Sequence, residues 1–212
     1  MNDARTTMRR RSRRPSLSHG DERELALLDC AESLLAAGRF DSATLEEIAS
    51  SAGISRPTFY FYFDSKQALL VSLVERTLDE LTAEITQAAR PTEEDPRVAM
   101  QGVMRGIADL WFKHRSALMA ASELAGSAPS VFERVQSVIE SATPEIAQLL
   151  YRSGTSALTR DLKSAERFGM RLGWMVERNF YVLARSNPTK KRLYALADEL
   201  AEIALAASGY EG

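Results

Sequence analysis

Residues 44–66, TLEEIASSAGISRPTFYFYFDSK, restrict the possible folds of this chain more than any other stretch. Thr44 and Glu47 stand three apart at the head of a helical pattern, where each side chain satisfies the other's backbone N–H. Leu45, Ile48, Ala49 and Ala52 then recur at helical spacing. Gly53 supplies the backbone freedom for a tight turn. Ser55 caps a second short helix, and Pro57 is tolerated in its first turn, where the missing N–H has no intrahelical partner. This second helix carries rings on two faces. Phe59 and Phe63 are four apart and define an inward face, whereas at about 100° per residue Phe61 points the opposite way. Pro57 and Tyr60 flank Phe61, with Arg56 at the edge of that face. Exposed rings cost hydration free energy unless they meet a partner. The partner this geometry suggests is the DNA major groove, where rings contact thymine methyls and arginine reaches a guanine edge or a phosphate.

The rest of the chain extends the helical reading. No stretch alternates with period two long enough to form a sheet, so the predicted class is all-α. A first helix spans 21–37, with Leu25, Leu28, Ala31, Leu34 and Leu35 as its apolar stripe. Together with residues 44–63 it completes a three-helix module containing a helix-turn-helix. Asp64 or Ser65 caps a fourth helix that runs to about residue 90, a connector between two modules. The proline- and acid-rich segment 91–96 is the predicted break. Further helices are expected near 97–114, 115–125, 130–152, 162–186 and 189–208, with Pro144 kinking or splitting the third of these. The predicted organisation is therefore a disordered basic arm (1–20), a helix-turn-helix domain (21–66) and a larger helical domain (67–212) that begins with the connector helix (67–90).

Charge is distributed unevenly. Residues 1–20 hold six arginines against one acid, whereas residues 21–66 hold four basic against nine acidic side chains. An arm of this kind, with Arg9, Arg10, Arg11, Arg13 and Arg14 near its end, suits a narrow minor groove and would supply attraction that the acidic module lacks. A lone cysteine, Cys30, and two separated histidines, His19 and His114, give neither a disulfide nor a metal-ligand cluster, so no metal and no cofactor are expected. No apolar run nears the ~20 residues of a membrane span, and no secretory signal is visible, so a cytoplasmic chain without a membrane partner is expected.

The block TLEEIASSAGISRPTFYFYFDSKQALL resembles the N-terminal domain of the TetR family of transcriptional regulators, with the glycine turn, the proline–threonine–aromatic–tyrosine run and the downstream lysine in register. The similarity continues weakly through the C-terminal portion, at Met175-Val176-Glu177-Arg178 and around His114. The resemblance implies a two-domain, all-helical homodimer joined through its last two helices, with a ligand tunnel in the larger domain. It places double-stranded operator DNA on Thr44, Arg56, Pro57, Thr58, Tyr60, Phe61, Tyr62 and Lys66. It also sets Leu193, Leu196 and Leu200 at the dimer seam, which Trp174, Arg178 and Tyr181 suit by their common direction.

For the ligand the residues say less. Gly173, Val176, Glu177 and Phe180 share one helical face, so a carboxylate stands among apolar neighbours. Met100, Met104, Ile107 and Trp111 form a stripe that reads as core unless the family is considered. With the family, it becomes the wall of a tunnel for an elongated apolar effector. The function expected is a ligand-released repressor and not an enzyme. A DNA-bound activator or architectural protein without ligand is the alternative. An all-helical carrier or enzyme is a weaker one, since no nucleophile is paired with a base.

Overall fold

The structure, a computed structural model, describes residues 19–88 and 95–211. Among these residues there are nine helices and no strand: α1 His19–Ala36, α2 Leu45–Ser51, α3 Arg56–Phe59, α4 Lys66–Ala88, α5 Pro96–Lys113, α6 Arg115–Leu124, α7 Pro129–Ser153, α8 Leu162–Ala184 and α9 Lys190–Ser208. The arginine arm and Pro91–Glu94 of the predicted break lie outside the described residues.

Local chemistry sets the helix starts. At α2, the Thr44 hydroxyl accepts the Glu47 N–H at 3.2 Å and the Thr44 N–H donates to Glu47 Oε2 at 2.7 Å. The Ser55 hydroxyl accepts the Thr58 N–H at α3, and Ser65 does the same for Ala68 at α4. Asp95, Asp161 and Thr189 open α5, α8 and α9 in the same way. Each such cap contributes on the order of 1 kcal/mol.

Three expectations are corrected. Pro144 does not split α7, and the helix runs unbroken from Pro129 to Ser153. Pro144 and Glu140, whose carbonyl loses its helical donor, both lie on the exposed side, where that loss is least costly. The third helix is one turn, and residues 60–62 continue it as a tightened turn through Phe61 N–H to Thr58 O and Tyr62 N–H to Phe59 O. Phe63 still bonds back to Phe59 O, so the rings keep their divergent directions. Leu25 is exposed, because α1 turns Leu27, Leu28 and Ala31 inward.

The first three helices and the start of α4 close around Leu27, Ile48, Phe59, Leu69 and Leu73, all fully buried. Further along α4, Leu78, Leu81 and Ile85 enter the larger unit, in which α7 packs on α8 and α5 on α9. One helix therefore contributes to both cores.

The carboxyl of Glu47 is held below its ordinary value of 4.5, first by the Thr44 N–H and then by the Thr44 hydroxyl. Asp161 and Asp198 are likewise lowered from 3.8, by Ser164 and Arg105 respectively. Folded pKa values below the unfolded ones stabilise the fold at neutral pH, and that contribution is lost as pH falls through them. Acid unfolding followed by circular dichroism is expected to set in below the ordinary carboxylate values. The Glu47→Gln variant should show a shallower acid dependence.

Candidate nucleic-acid interface and ligand cavity

Gly53, at a φ of +67°, makes the turn between α2 and α3. Phe59 and Phe63 anchor it, their rings 5.9 Å apart and buried. The Tyr60 ring packs edge-on against Phe59 at 5.8 Å yet stays 46% exposed, and Phe61 is 92% exposed. Arg56 and Pro57 lie exposed on the same segment, while Thr58 and Tyr62 are half-buried. A phenylalanine so completely in water is the strongest anomaly in this half of the molecule.

Two of the residues assigned to DNA have other work. Thr44 is exposed, but its hydroxyl is engaged in the α2 cap on both sides, accepting from the Glu47 N–H and lying 3.1 Å from Glu47 Oε2. Lys66, expected at a phosphate, instead donates its ammonium to the carbonyls of Phe40, Asp41 and Ala43 at 3.1, 2.8 and 3.1 Å. It also lies 5.4 Å from the Phe40 ring centroid. Three carbonyls ending the α1–α2 connection concentrate negative potential there, and an ammonium has three donors to match. Lys66 thus braces the helix-turn-helix from within.

Between the two units lies a charged joint. Arg76 of α4 bonds Asp29 and Glu32 of α1 at 2.7 and 2.9 Å. His114, buried between α5 and α6, approaches Glu32 at 3.5 Å and Glu80 at 3.7 Å. The α5–α6 corner is therefore in direct contact with both α1 and α4. Arg134 of α7 also pairs with Asp79 of α4.

The larger unit encloses an apolar cavity with about 90 Å³ of water-accessible volume, lined from α4, α5, α6, α7 and α8. Of the predicted ligand residues, Met104, Ile107, Trp111, Gly173, Val176 and Glu177 line it together. Met100 and Phe180 do not reach the wall: Met100 is fully buried, and Phe180 stacks behind Trp111 with centroids 6.2 Å apart. Sequence reasoning missed the wall supplied by α7, including Val135, Val138, Ile139 and Ile146, and the Ser122 hydroxyl, which donates to Glu177 Oε1 at 2.6 Å. The α7 residues show helical periodicity, but nothing in one chain's sequence says whether an apolar stripe faces a core or a cavity. No local signal links Ser122 to a residue 55 positions away.

The predicted seam residues divide. Leu193 and Leu200 are buried inside the subunit on the face of α9 that meets α5, at 1% and 2% exposure. They are not available to a second subunit. Trp174 is half-buried and stacks on Phe132 at 5.7 Å, and Arg178 lies over Tyr181 at 5.0 Å. About 100° round α9, Arg192, Leu196, Glu199 and Ile203 face outward. With Val182 and Asn179 of α8, the first three of these border a shallow groove.

Comparison with known proteins agrees with this architecture. The family model for bacterial regulatory proteins of the tetR family matches residues 27–73. The transcriptional regulator EthR of Mycolicibacterium smegmatis is 36% identical over 129 residues, 61% of this chain and 58% of that protein. EthR of Mycobacterium tuberculosis is 45% identical over 87 residues, 41% of this chain and 39% of its own length. The matched stretch is thus about half the length of these relatives. A tetR-family regulator from Streptomyces coelicolor superposes with a TM-score of 0.69 at 22% identity, over 88% of this chain and 80% of that one. Among the described residues, no helix is long and apolar enough to cross a membrane. The helix-turn-helix unit, over residues 27–73, is thus that of the tetR family of bacterial regulatory proteins, and the fold of the chain as a whole is that of a tetR-family regulator.

Proposed function

We propose that the protein is a homodimeric repressor that holds operator DNA through α3 and the following turn and is released by a small, largely apolar effector bound in the cavity. The observation that carries this reading is Phe61, exposed at 92% beside Tyr60, Arg56 and Pro57. Those four side chains are assigned to base edges and neighbouring phosphates, with the arm arginines supplying the attraction that the acidic module lacks. In a simple dimer of this motif the two α3 segments must reach successive major grooves about 34–36 Å apart. An effector that widens the cavity moves the wall formed by α4 and displaces that spacing. It acts only by differing in affinity between the two states, typically by about 1–3 kcal/mol.

Selection of DNA from a random-sequence pool by the full chain tests this. A two-fold symmetric site bound by two subunits is expected, and recovery of unrelated sequences alone would overturn it.

The dimer is assigned to the outward faces of α8 and α9, where Val182 and Ile203 are 60% and 50% exposed and Leu196 lies half-buried between polar neighbours. Placing aspartate at both Val182 and Ile203 puts like charges into an apolar seam. Sedimentation is expected to show a monomer, with helicity by circular dichroism unchanged.

A further inference from the structure

We infer that the cavity selects an elongated apolar molecule with a hydrogen-bond-donating head, a primary amine in particular, and that Glu177 is the selecting group. The inference rests on reading the cavity as an effector site and adds the chemistry of what fills it. Among the described residues lining the cavity, Glu177 is the only charged one. Its side chain is 15% exposed, and its two oxygens differ in what they meet. Oε1 takes the Ser122 hydroxyl proton at 2.6 Å. Oε2 is buried and accepts no hydrogen bond, its nearest cation being the exposed Arg178, with Nε at 3.7 Å. A carboxylate oxygen buried in this way is costly unless a donor reaches it.

The rest of the wall sharpens the choice. The Ser122 proton has two acceptors in reach, Glu177 Oε1 and, at 3.1 Å, Leu118 O, and the shorter charge-assisted bond claims it. The Thr143 hydroxyl donates to Ile139 O at 2.8 Å. Beyond these, the side-chain donor left on the wall is the neutral indole N–H of Trp111. An anionic head would therefore meet a like charge with one neutral donor to offset it. An ammonium head brings three donors and the complementary charge to Oε2, while its alkyl chain lies along Ile107, Val138, Leu172 and Val176.

Trp111 is on the wall, so its fluorescence reports occupancy once Trp174, the other tryptophan, is changed to phenylalanine. Titration of this full-length variant with n-octylamine, n-octanol and octanoate is expected to rank amine above alcohol above acid, amine over acid by about tenfold or more. Glu177→Gln keeps the acceptor for Ser122 but removes the charge. It should weaken the amine by about tenfold while leaving octanol nearly unchanged. Equal binding of amine and octanoate, or an amine affinity untouched by Glu177→Gln, would overturn the selection by Glu177 and leave the effector cavity standing. If none of the three compounds binds the chain with Glu177 intact, the effector-site reading fails and the inference fails with it. The comparison among compounds is made with Glu177 in place and does not depend on the Gln variant folding.

Discussion

Replacing Phe59 with alanine is expected to lower the stability of the fold by about 3–5 kcal/mol, the usual loss for a fully buried aromatic ring. Replacing Phe61, two residues later, should leave stability unchanged within about 0.5 kcal/mol. Phe59 is fully enclosed, touching Phe63 and the edge of Tyr60, and its removal leaves a cavity at the centre of the three-helix unit. Phe61 has 92% of its surface in water and little packing to lose. Urea titration of the two variants side by side gives the comparison. Equal stability losses would mean that Phe61 is a structural residue, and the proposed DNA face would lose its principal contact.

The second change concerns the junction of α7 and α9. Gly154 follows α7 in an extended conformation open to any residue, but a Cβ there would stand 2.3 Å from Ser208 O and 2.5 Å from the carbonyl carbon of Gly209. Those are backbone atoms with no rotamer to yield. The same Ser208 carbonyl accepts the Ser156 N–H and the Thr159 hydroxyl, both at 3.0 Å, so the end of α9 is held by several bonds at once. Gly154→Ala must push these segments apart, with an expected cost of about 1–3 kcal/mol or more. Because α9 also carries Leu196 and Ile203, the variant should weaken self-association as well as thermal stability. Differential scanning calorimetry and sedimentation of the same sample read both effects. An unchanged melting temperature would mean that the close approach of these two segments is not required.

The N-terminal unit was largely legible from the residues, because its determinants are local. Caps lie three residues from what they cap, and the directions of Phe59, Phe61 and Phe63 follow from helical geometry alone. Lys66 was not legible in the same way. A lysine at a helix start reads as a phosphate ligand until the three carbonyls from residues 40–43 are brought beside it by folding. In the larger unit, Met104, Trp111 and Glu177 were found because each lies on a periodic stripe. Their separation from Met100 and Phe180 depends on which helix stands opposite, and a single sequence does not state that. Leu193 and Leu200 show the same limit: an apolar stripe on α9 predicts burial, but whether it is buried by α5 or by a second subunit is a tertiary fact. Leu196, three residues from Leu193 and four from Leu200, lies half-buried at the edge of that stripe rather than within it.

The most direct test is to measure the binding of the full chain and of its Phe61→Ala variant to the DNA selected from the random pool, at one salt concentration. Losing recognition of one base pair in a specific site costs about 1–3 kcal/mol, so the variant should bind its site roughly tenfold or more weakly. Its weak affinity for unrelated DNA and its melting temperature should be unchanged. Full-strength binding by the variant would contradict the assignment of α3 and its aromatic turn as the surface that reads DNA.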